Sequence, residues 1–180
     1  MKLPAALFLL TFLSVSQFVN AQKSNEELIE WNAERRLTWA DYKSRPNPES
    51  DAAASTTTTL IVEYNISRNR FQYKIQSLFS KTRSWGLHKT DYILSHEQGH
   101  FDIAEVFARK LHKKLSEYKF NPKTYKKDLK KIYEEVTDEK EETQNEYDEE
   151  TKHSINKRKQ AEWLRKIDEM LEEYEEYADY

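Results

Sequence analysis

The stretch TDYILSHEQGHFDIAEVFARKLHKKLSEY, residues 90–118, determines the fold that the sequence predicts. Its apolar residues and two of its histidines recur at intervals of three and four, which is the spacing of one face of an α-helix. This face consists of Ile93, His96, His100, Ile103, Ala104, Phe107, Leu111 and Leu115. We therefore predict a helix from about Thr90 to Tyr118, with this face turned toward the core.

The segment His96-Glu97-Gln98-Gly99-His100 within this helix has the pattern of a zinc-hydrolase motif. Histidines four residues apart lie one turn above each other, so both imidazoles can bind one metal ion. Glu97 lies beside them and can act as general base toward a metal-bound water, which zinc makes more acidic. Gly99 costs a helix about 1 kcal/mol relative to alanine, and a cost of that kind often marks a close approach by another chain or a substrate.

A catalytic zinc ion needs a third protein ligand. His88 precedes the helix and reaches the site only through a turn, whereas His112 lies about 18 Å beyond the motif along a straight helix. We predict His153 as the third ligand, because a returning pair of helices can bring it back over the first helix. Asp148 is the alternative ligand, or a partner that orients an imidazole. Tyr147 is the candidate hydrogen-bond donor to a developing oxyanion.

The region before the motif helix has the alternation of β-strands. We predict a short strand at Leu37–Trp39 and a loop from Tyr42 to Ser55, which contains two prolines. A longer strand is predicted at Thr56–Ile66, with Leu60, Val62 and Tyr64 on one face. A turn at Asn65–Asn69 then leads into an antiparallel partner that contains Phe71, Tyr73, Ile75 and Ser77.

The region after the motif helix predicts two further helices. Asn121 as cap and Pro122 at the first position begin one that reaches roughly Asn145 to Thr151. The next helix spans about Ile155 to Tyr174. Ten basic residues lie between positions 109 and 131, and ten acidic ones between positions 134 and 150, interrupted only by Lys140. We interpret these runs as solvated helix faces with ion pairs between neighbouring helices.

The N-terminal residues have the features of a secretory signal peptide. A charged start precedes an apolar stretch from Leu3 to Val19, and cleavage is predicted after Ala21. The protein would then be secreted or periplasmic, with residues 22–180 forming one domain and no stable membrane span. The chain has 180 residues, no cysteine and a net charge of −3. This composition excludes disulfides and thiolate ligands and argues against a nucleic-acid partner.

Three segments resemble a bacterial family of uncharacterised domains described as predicted secreted zinc-dependent proteases. They are HEQGHFDIAE at 96–105, YDEETKH at 147–153, and LTWADY at 37–42 ahead of Arg45-Pro46; Trp85 also fits. The resemblance implies His96, His100 and His153 as zinc ligands and Glu97 as the base. Where the family leads us to expect glycine after the last histidine, this chain has Ser154.

We therefore predict an α+β, zincin-like fold, in which a small N-terminal antiparallel sheet packs on the motif helix and two long helices follow. The predicted function is that of a zinc metallopeptidase that hydrolyses a peptide or protein substrate through a zinc-bound water. The substrate would lie along a sheet edge, at residues 56–64 or 71–75. The alternatives are a non-catalytic, zinc-stabilised binding module and a di-iron protein built on Glu97-x-x-His100 and Glu150-x-x-His153.

Overall fold

The computed structural model describes residues 27–50, 52–67 and 70–180. These residues form an α+β fold with a small antiparallel sheet and three helices, as predicted. The predicted signal peptide, residues 1–21, lies outside the described residues. None of the helices in the described part of the chain has the length and apolarity needed to cross a membrane.

In the described part of the chain, five strands form two antiparallel sheets. They are β1 (Leu28–Glu30), β2 (Ala54–Ser55), β3 (Thr58–Ser67), β4 (Arg70–Ser80) and β5 (Trp85–Gly86). The larger sheet has the order β1-β4-β3, and β2 pairs with β5. The predicted hairpin is confirmed, because Leu60, Val62 and Tyr64 lie opposite Ser77, Ile75 and Tyr73.

Two predictions for the N-terminal region are wrong. Residues 37–39 are not a strand, because a 3-10 helix begins at Trp39, where the Asp41 carboxylate accepts hydrogen bonds from the Thr38 amide and hydroxyl. The predicted turn at residues 65–69 is also too wide. Strand β3 continues to Ser67, which pairs with Arg70, so the hairpin keeps its register further than the polar residues suggested.

Three helices follow the strands. They are α1 (Asp91–Glu117), α2 (Tyr125–Thr151) and α3 (Lys157–Glu173). Thr90 caps α1 by accepting a hydrogen bond from the Ile93 amide, which agrees with the predicted start. The predicted start of α2 at Pro122 is wrong, because Asn121 instead begins a turn. Its side chain accepts from the Lys123 amide, and its carbonyl accepts from the Tyr125 amide.

Helix α1 lies at the centre of the molecule, between the larger sheet and the other two helices. Its buried residues Ile103, Phe107 and Leu111 belong to one core that includes the sheet and both later helices. The other buried members of this core are Leu60, Ile75, Ala108, Leu115, Leu129, Val136, Tyr147, Trp163 and Ile167. Burial on several sides makes α1 a rigid support for the motif that it carries.

Candidate metal centre

Helix α1 places the three motif residues in the interior. His96 is 2% exposed, Glu97 3% and His100 9%. An imidazole without a partner is costly to bury, so the motif residues need partners from other elements. Helix α2 supplies these for the histidines, and the loop between β2 and β3 supplies one for Glu97.

The donor atoms of two histidines and one carboxylate converge at one point. His96 Nε2 and His100 Nε2 lie 3.0 Å and 3.1 Å from Asp148 Oδ1, and the two imidazole nitrogens are 3.3 Å apart. In a tetrahedral zinc site with bonds of about 2.0–2.1 Å, two donors lie about 3.3 Å apart. These three residues are a group that could hold a metal ion, and their chemistry and spacing fit one.

Asp148, the alternative third ligand in the sequence analysis, lies where His153 was predicted to complete the group with His96 and His100. Burial would raise the pKa of the Asp148 carboxyl, but hydrogen bonds with His100 and His96 outweigh it and hold that pKa well below its usual value. Burial also disfavours a charged His100, yet the contact with Asp148 outweighs burial and raises the pKa of this ring. Asp148 is therefore an anion in the folded protein, which is the form that ligates metals.

Of the three donor residues, His153 contacts only Asp148. Its Nδ1 lies 3.3 Å from Asp148 Oδ1, and its side chain is 60% exposed. The reason is the end of α2, where Lys152, His153 and Ser154 all have positive φ angles of 51°, 49° and 72°. This left-handed segment turns the chain away from the helix axis and leaves His153 at the rim of the site.

Ser154 occupies the position where the family resemblance led us to expect glycine, and its φ of 72° explains that expectation. A left-handed conformation costs a residue with a side chain about 1–2 kcal/mol. We expect Ser154→Gly to stabilise the protein by about 0.5–1 kcal/mol, after the added entropy of the unfolded chain is subtracted. Urea unfolding measures this change. Ala161→Gly, on the exposed face of α3, should instead destabilise by about 1 kcal/mol. If Ser154→Gly and Ala161→Gly lost the same free energy of unfolding, the proposed strain at Ser154 would be contradicted.

Gln144 is a partner of His100 that the sequence analysis missed. Its side-chain oxygen forms a hydrogen bond with His100 Nδ1, and its amide donates to the His100 carbonyl at 2.9 Å. This bidentate contact fixes the orientation of the ring and leaves Nε2 to face Asp148. Gln144 precedes Asp148 by four residues, so both lie on the face of α2 that meets α1. That spacing is the signal that could have identified it.

Tyr147 is a packing residue. It is fully buried, its ring stacks on His96 at 4.4 Å between centroids, and its hydroxyl donates to the His96 carbonyl at 3.2 Å. The oxyanion role predicted for this hydroxyl does not agree with that geometry. A Cβ at Gly99 would lie 2.6 Å from the Tyr147 hydroxyl oxygen. The close approach that Gly99 suggested is therefore made by Tyr147.

We expect Gly99→Ala to destabilise the protein by about 1–3 kcal/mol, because the methyl group must displace the Tyr147 ring. The better helix propensity of alanine offsets about 1 kcal/mol of this cost. Urea denaturation of the single variant and of Gly99→Ala/Tyr147→Phe measures the effect. The double variant should recover part of the loss, because it lacks the hydroxyl that the methyl group would meet. Equal or greater stability of Gly99→Ala would contradict the contact.

Glu97 is deeply buried, and one of its oxygens has no partner in the described structure. Thr56 forms a hydrogen bond with the carboxylate and is itself 2.8 Å from the Tyr42 hydroxyl, whereas Oε2 of Glu97 is unpaired. Burial raises the pKa of the Glu97 carboxyl. Such a group is poised to exchange a proton with a molecule that enters the site.

Gln98 of the motif and Asp102, one turn further along α1, anchor the N-terminal segment. The Gln98 side chain accepts from the Leu37 amide at 2.7 Å and donates to Asp102 at 2.8 Å. Asp102 also accepts from the Trp31 indole and pairs with Arg36 at 3.1 Å. These contacts explain why the segment around Leu37 accompanies the motif in the family resemblance.

A cavity of about 580 Å³ opens onto the three donor atoms and Glu97. This volume lies within the range of about 300–1,000 Å³ that is usual for ligand pockets. The strand β2 and residues 56–58 form one part of its wall, and α2 forms another. Besides the motif, Asp148 and residues 55–58, the polar lining residues are Asn47, Ser50, Arg83, Lys140, Glu141, Gln144, Asn145, His153 and Ser154.

The residues do not support the di-iron alternative. Glu150 would have to turn toward the metal, but its carboxylate accepts from Lys159 at 3.0 Å and from the Trp163 indole at 2.9 Å. A di-iron bundle also needs ligands from four helices. Among the described residues the site is formed by α1, α2 and the loops that flank the strands.

The chain matches one family model over residues 19–154, and that family is described as a bacterial protein of unknown function, DUF922. No curated protein and no solved structure matches the chain. The match includes both the motif helix and the segment from Tyr147 to His153. Because it covers well over half of the sequence, the protein belongs to the DUF922 family of bacterial proteins.

Proposed function

We propose that this protein is an exported zinc-dependent metallopeptidase with a zincin-like arrangement of its sheet and motif helix. The observation that carries the proposal is the meeting of three metal-binding donor atoms with Glu97 at the wall of one open cavity. A pair of histidines in an ordinary helix needs neither a shared carboxylate nor access to a cavity. The apolar residues 3–19 and the small residue Ala21 support export.

His96, His100 and Asp148 would hold the ion. Two imidazoles and one carboxylate match the ligand type of catalytic zinc sites that keep an open position for water or substrate. A zinc ion at such a site acts as a Lewis acid and makes a water molecule more acidic. His153 would orient the Asp148 carboxylate from the rim, as outer partners of metal ligands do.

Glu97 would carry the proton. Thr56 holds one side of its carboxylate, and the unpaired Oε2 is available to accept a proton from the attacking water. The same oxygen can then deliver this proton to the amine that leaves when the peptide bond breaks. A structural zinc site has four protein ligands, is closed and has no use for a base. The unpaired carboxylate oxygen beside the donor atoms therefore favours an enzyme over a zinc-stabilised binding module.

The peptide substrate would lie in an extended conformation against residues 52–58, which line the cavity and include β2. This position shares only residues 56–58 with the sheet edges that the sequence suggested, which were residues 56–64 and 71–75. The Leu60 carbonyl in β3 accepts a hydrogen bond from the Tyr133 hydroxyl at 2.9 Å, so α2 covers that part of the strand. Residues 71–75 do not belong to the cavity wall.

Hydrolysis of a peptide library by the zinc-loaded protein tests this function. Mass spectrometry should detect cleaved products with wild type, and the products should disappear after chelation and return when zinc is restored. His100→Ala should be inactive, whereas His112→Ala should retain activity, because His112 packs among tyrosines away from the site. Cleavage that is equal in His100→Ala and wild type would contradict the proposal.

A further inference from the structure

The cavity contains a buried cation that the proposed mechanism does not use. Lys140 is 5% exposed and lines the cavity, although it belongs to a helix whose other lysines lie on the surface. Burial of an ammonium group is unfavourable unless an anion accompanies it. The described anion is Glu141, whose carboxylate is 2.7 Å from Lys140 Nζ and whose side chain is 65% exposed.

Lys140 lies on the face of α2 that forms the site. It precedes Gln144 by four residues and Asp148 by eight, so all three lie along one side of the helix. Gln144 contacts His100, and Asp148 contacts both histidines. Along the helix axis, Lys140 and Asp148 are separated by about 12 Å. Since an extended peptide spans about 3.3–3.6 Å per residue, this separation corresponds to about three residues of substrate.

A second cation reaches the cavity from the sheet side. Arg83 follows β4, lines the cavity and is exposed, and its guanidinium has no ion pair with any described residue. The two cations therefore reach the same cavity from different elements, Arg83 from the segment between β4 and β5 and Lys140 from α2. Glu141, the only described partner of Lys140, lines the cavity from a solvent-exposed position, where an incoming carboxylate can replace it.

We propose that Lys140, assisted by Arg83, binds a carboxylate of the substrate within about three residues of the scissile bond. This inference rests on the proposed peptidase function and names its substrate class as peptides with a carboxylate at that distance. The carboxylate has two sources, the side chain of an aspartate or glutamate and the free C-terminus of the peptide. The first describes an endopeptidase that prefers acidic sequences, and the second describes a carboxypeptidase.

Peptide binding tests this inference without requiring turnover. The zinc-loaded Glu97→Gln protein is titrated with fluorescent peptides that have glutamate or glutamine about three residues from the central bond, each as a free acid and as a C-terminal amide. We expect the peptide whose carboxylate binds Lys140 to have about tenfold or greater affinity than its uncharged counterpart, since a hydrogen bond to a charged group is strong. Preference for the glutamate peptides identifies the side chain, and preference for the free acids identifies the C-terminus.

Lys140→Met should remove this preference, and Lys140→Arg should retain part of it. Glu141→Gln should strengthen binding of the preferred peptide, because it frees Lys140. Lys127→Met is the matched control on the exposed face of α2 and should bind as the parent does. Equal affinity for all four peptides, or a preference that survives in Lys140→Met, would overturn the inference.

This failure is distinct from failure of the proposed function. Hydrolysis by the wild type without any carboxylate preference leaves the peptidase and removes the role of Lys140. Carboxylate binding that depends on Lys140, in a protein that cleaves no peptide, removes the peptidase function and leaves Lys140 as the residue that binds a carboxylate. Circular dichroism and zinc content of each variant show whether it remains folded and metal-loaded.

Discussion

Glu97→Gln is expected to lower the rate of peptide hydrolysis by about 10²–10⁴-fold, the usual contribution of a general base. Glutamine has nearly the same shape and can keep the hydrogen bond with Thr56, but it cannot accept a proton. The change should therefore affect kcat far more than zinc content or substrate affinity. Steady-state kinetics on a cleaved peptide, with zinc content measured in the same samples, separates these effects.

A matched control for this substitution is Glu105→Gln, about two turns (about 12 Å) further along α1. Glu105 is buried as Glu97 is, with 2% exposure, and its carboxylate pairs with Arg109 at 3.0 Å and accepts from the Tyr180 hydroxyl at 2.7 Å. Its substitution should reduce stability and leave kcat close to wild type. A Glu97→Gln protein with undiminished kcat would contradict the assignment of Glu97 as base.

Asp148→Ala is expected to weaken zinc binding by at least about 100-fold, which exceeds the loss typical of an outer partner. His153→Ala should weaken it by about 10-fold, within the range of about 10–100-fold reported for residues that orient a ligand. The physical reason is the geometry, in which Asp148 Oδ1 contacts both histidines and His153 contacts only Asp148. Competition with a fluorescent zinc chelator measures both affinities.

His88→Ala serves as the control for these two variants, because His88 is exposed and precedes α1. Its affinity for zinc should equal that of wild type. The reverse order, with His153→Ala losing zinc and Asp148→Ala retaining it, would restore the ligand set that the sequence alone suggested. It would also mean that the left-handed segment after α2 rearranges when metal binds.

The motif helix and the hairpin could be predicted because their signals are local. The spacing of Ile93, His96 and His100 defines one face of α1, and strict alternation from Leu60 to Tyr64 defines the register with β4. A helix cap such as Thr90 acts within one turn. Each of these features depends on neighbours in sequence, so the chain alone contains the needed information.

The third ligand could not be chosen in this way. Asp148 and His153 are five residues apart, and the choice between them depends on where α2 ends and how the chain leaves it. Three successive left-handed residues at 152–154 direct His153 outward, although none of them is glycine. The contact of Gln144 with His100 and the burial of Lys140 could not be predicted for a related reason. Both depend on how α2 packs in the fold, which is a tertiary property.

The zinc content of the purified protein tests the central claim most directly. After reconstitution and removal of loosely bound metal, inductively coupled plasma mass spectrometry should find about one zinc ion per chain. His100→Ala should contain almost none, and His112→Ala should match wild type. A wild-type protein that retains no zinc, or a His100→Ala protein that retains as much as wild type, would contradict a metal centre built on His96, His100 and Asp148.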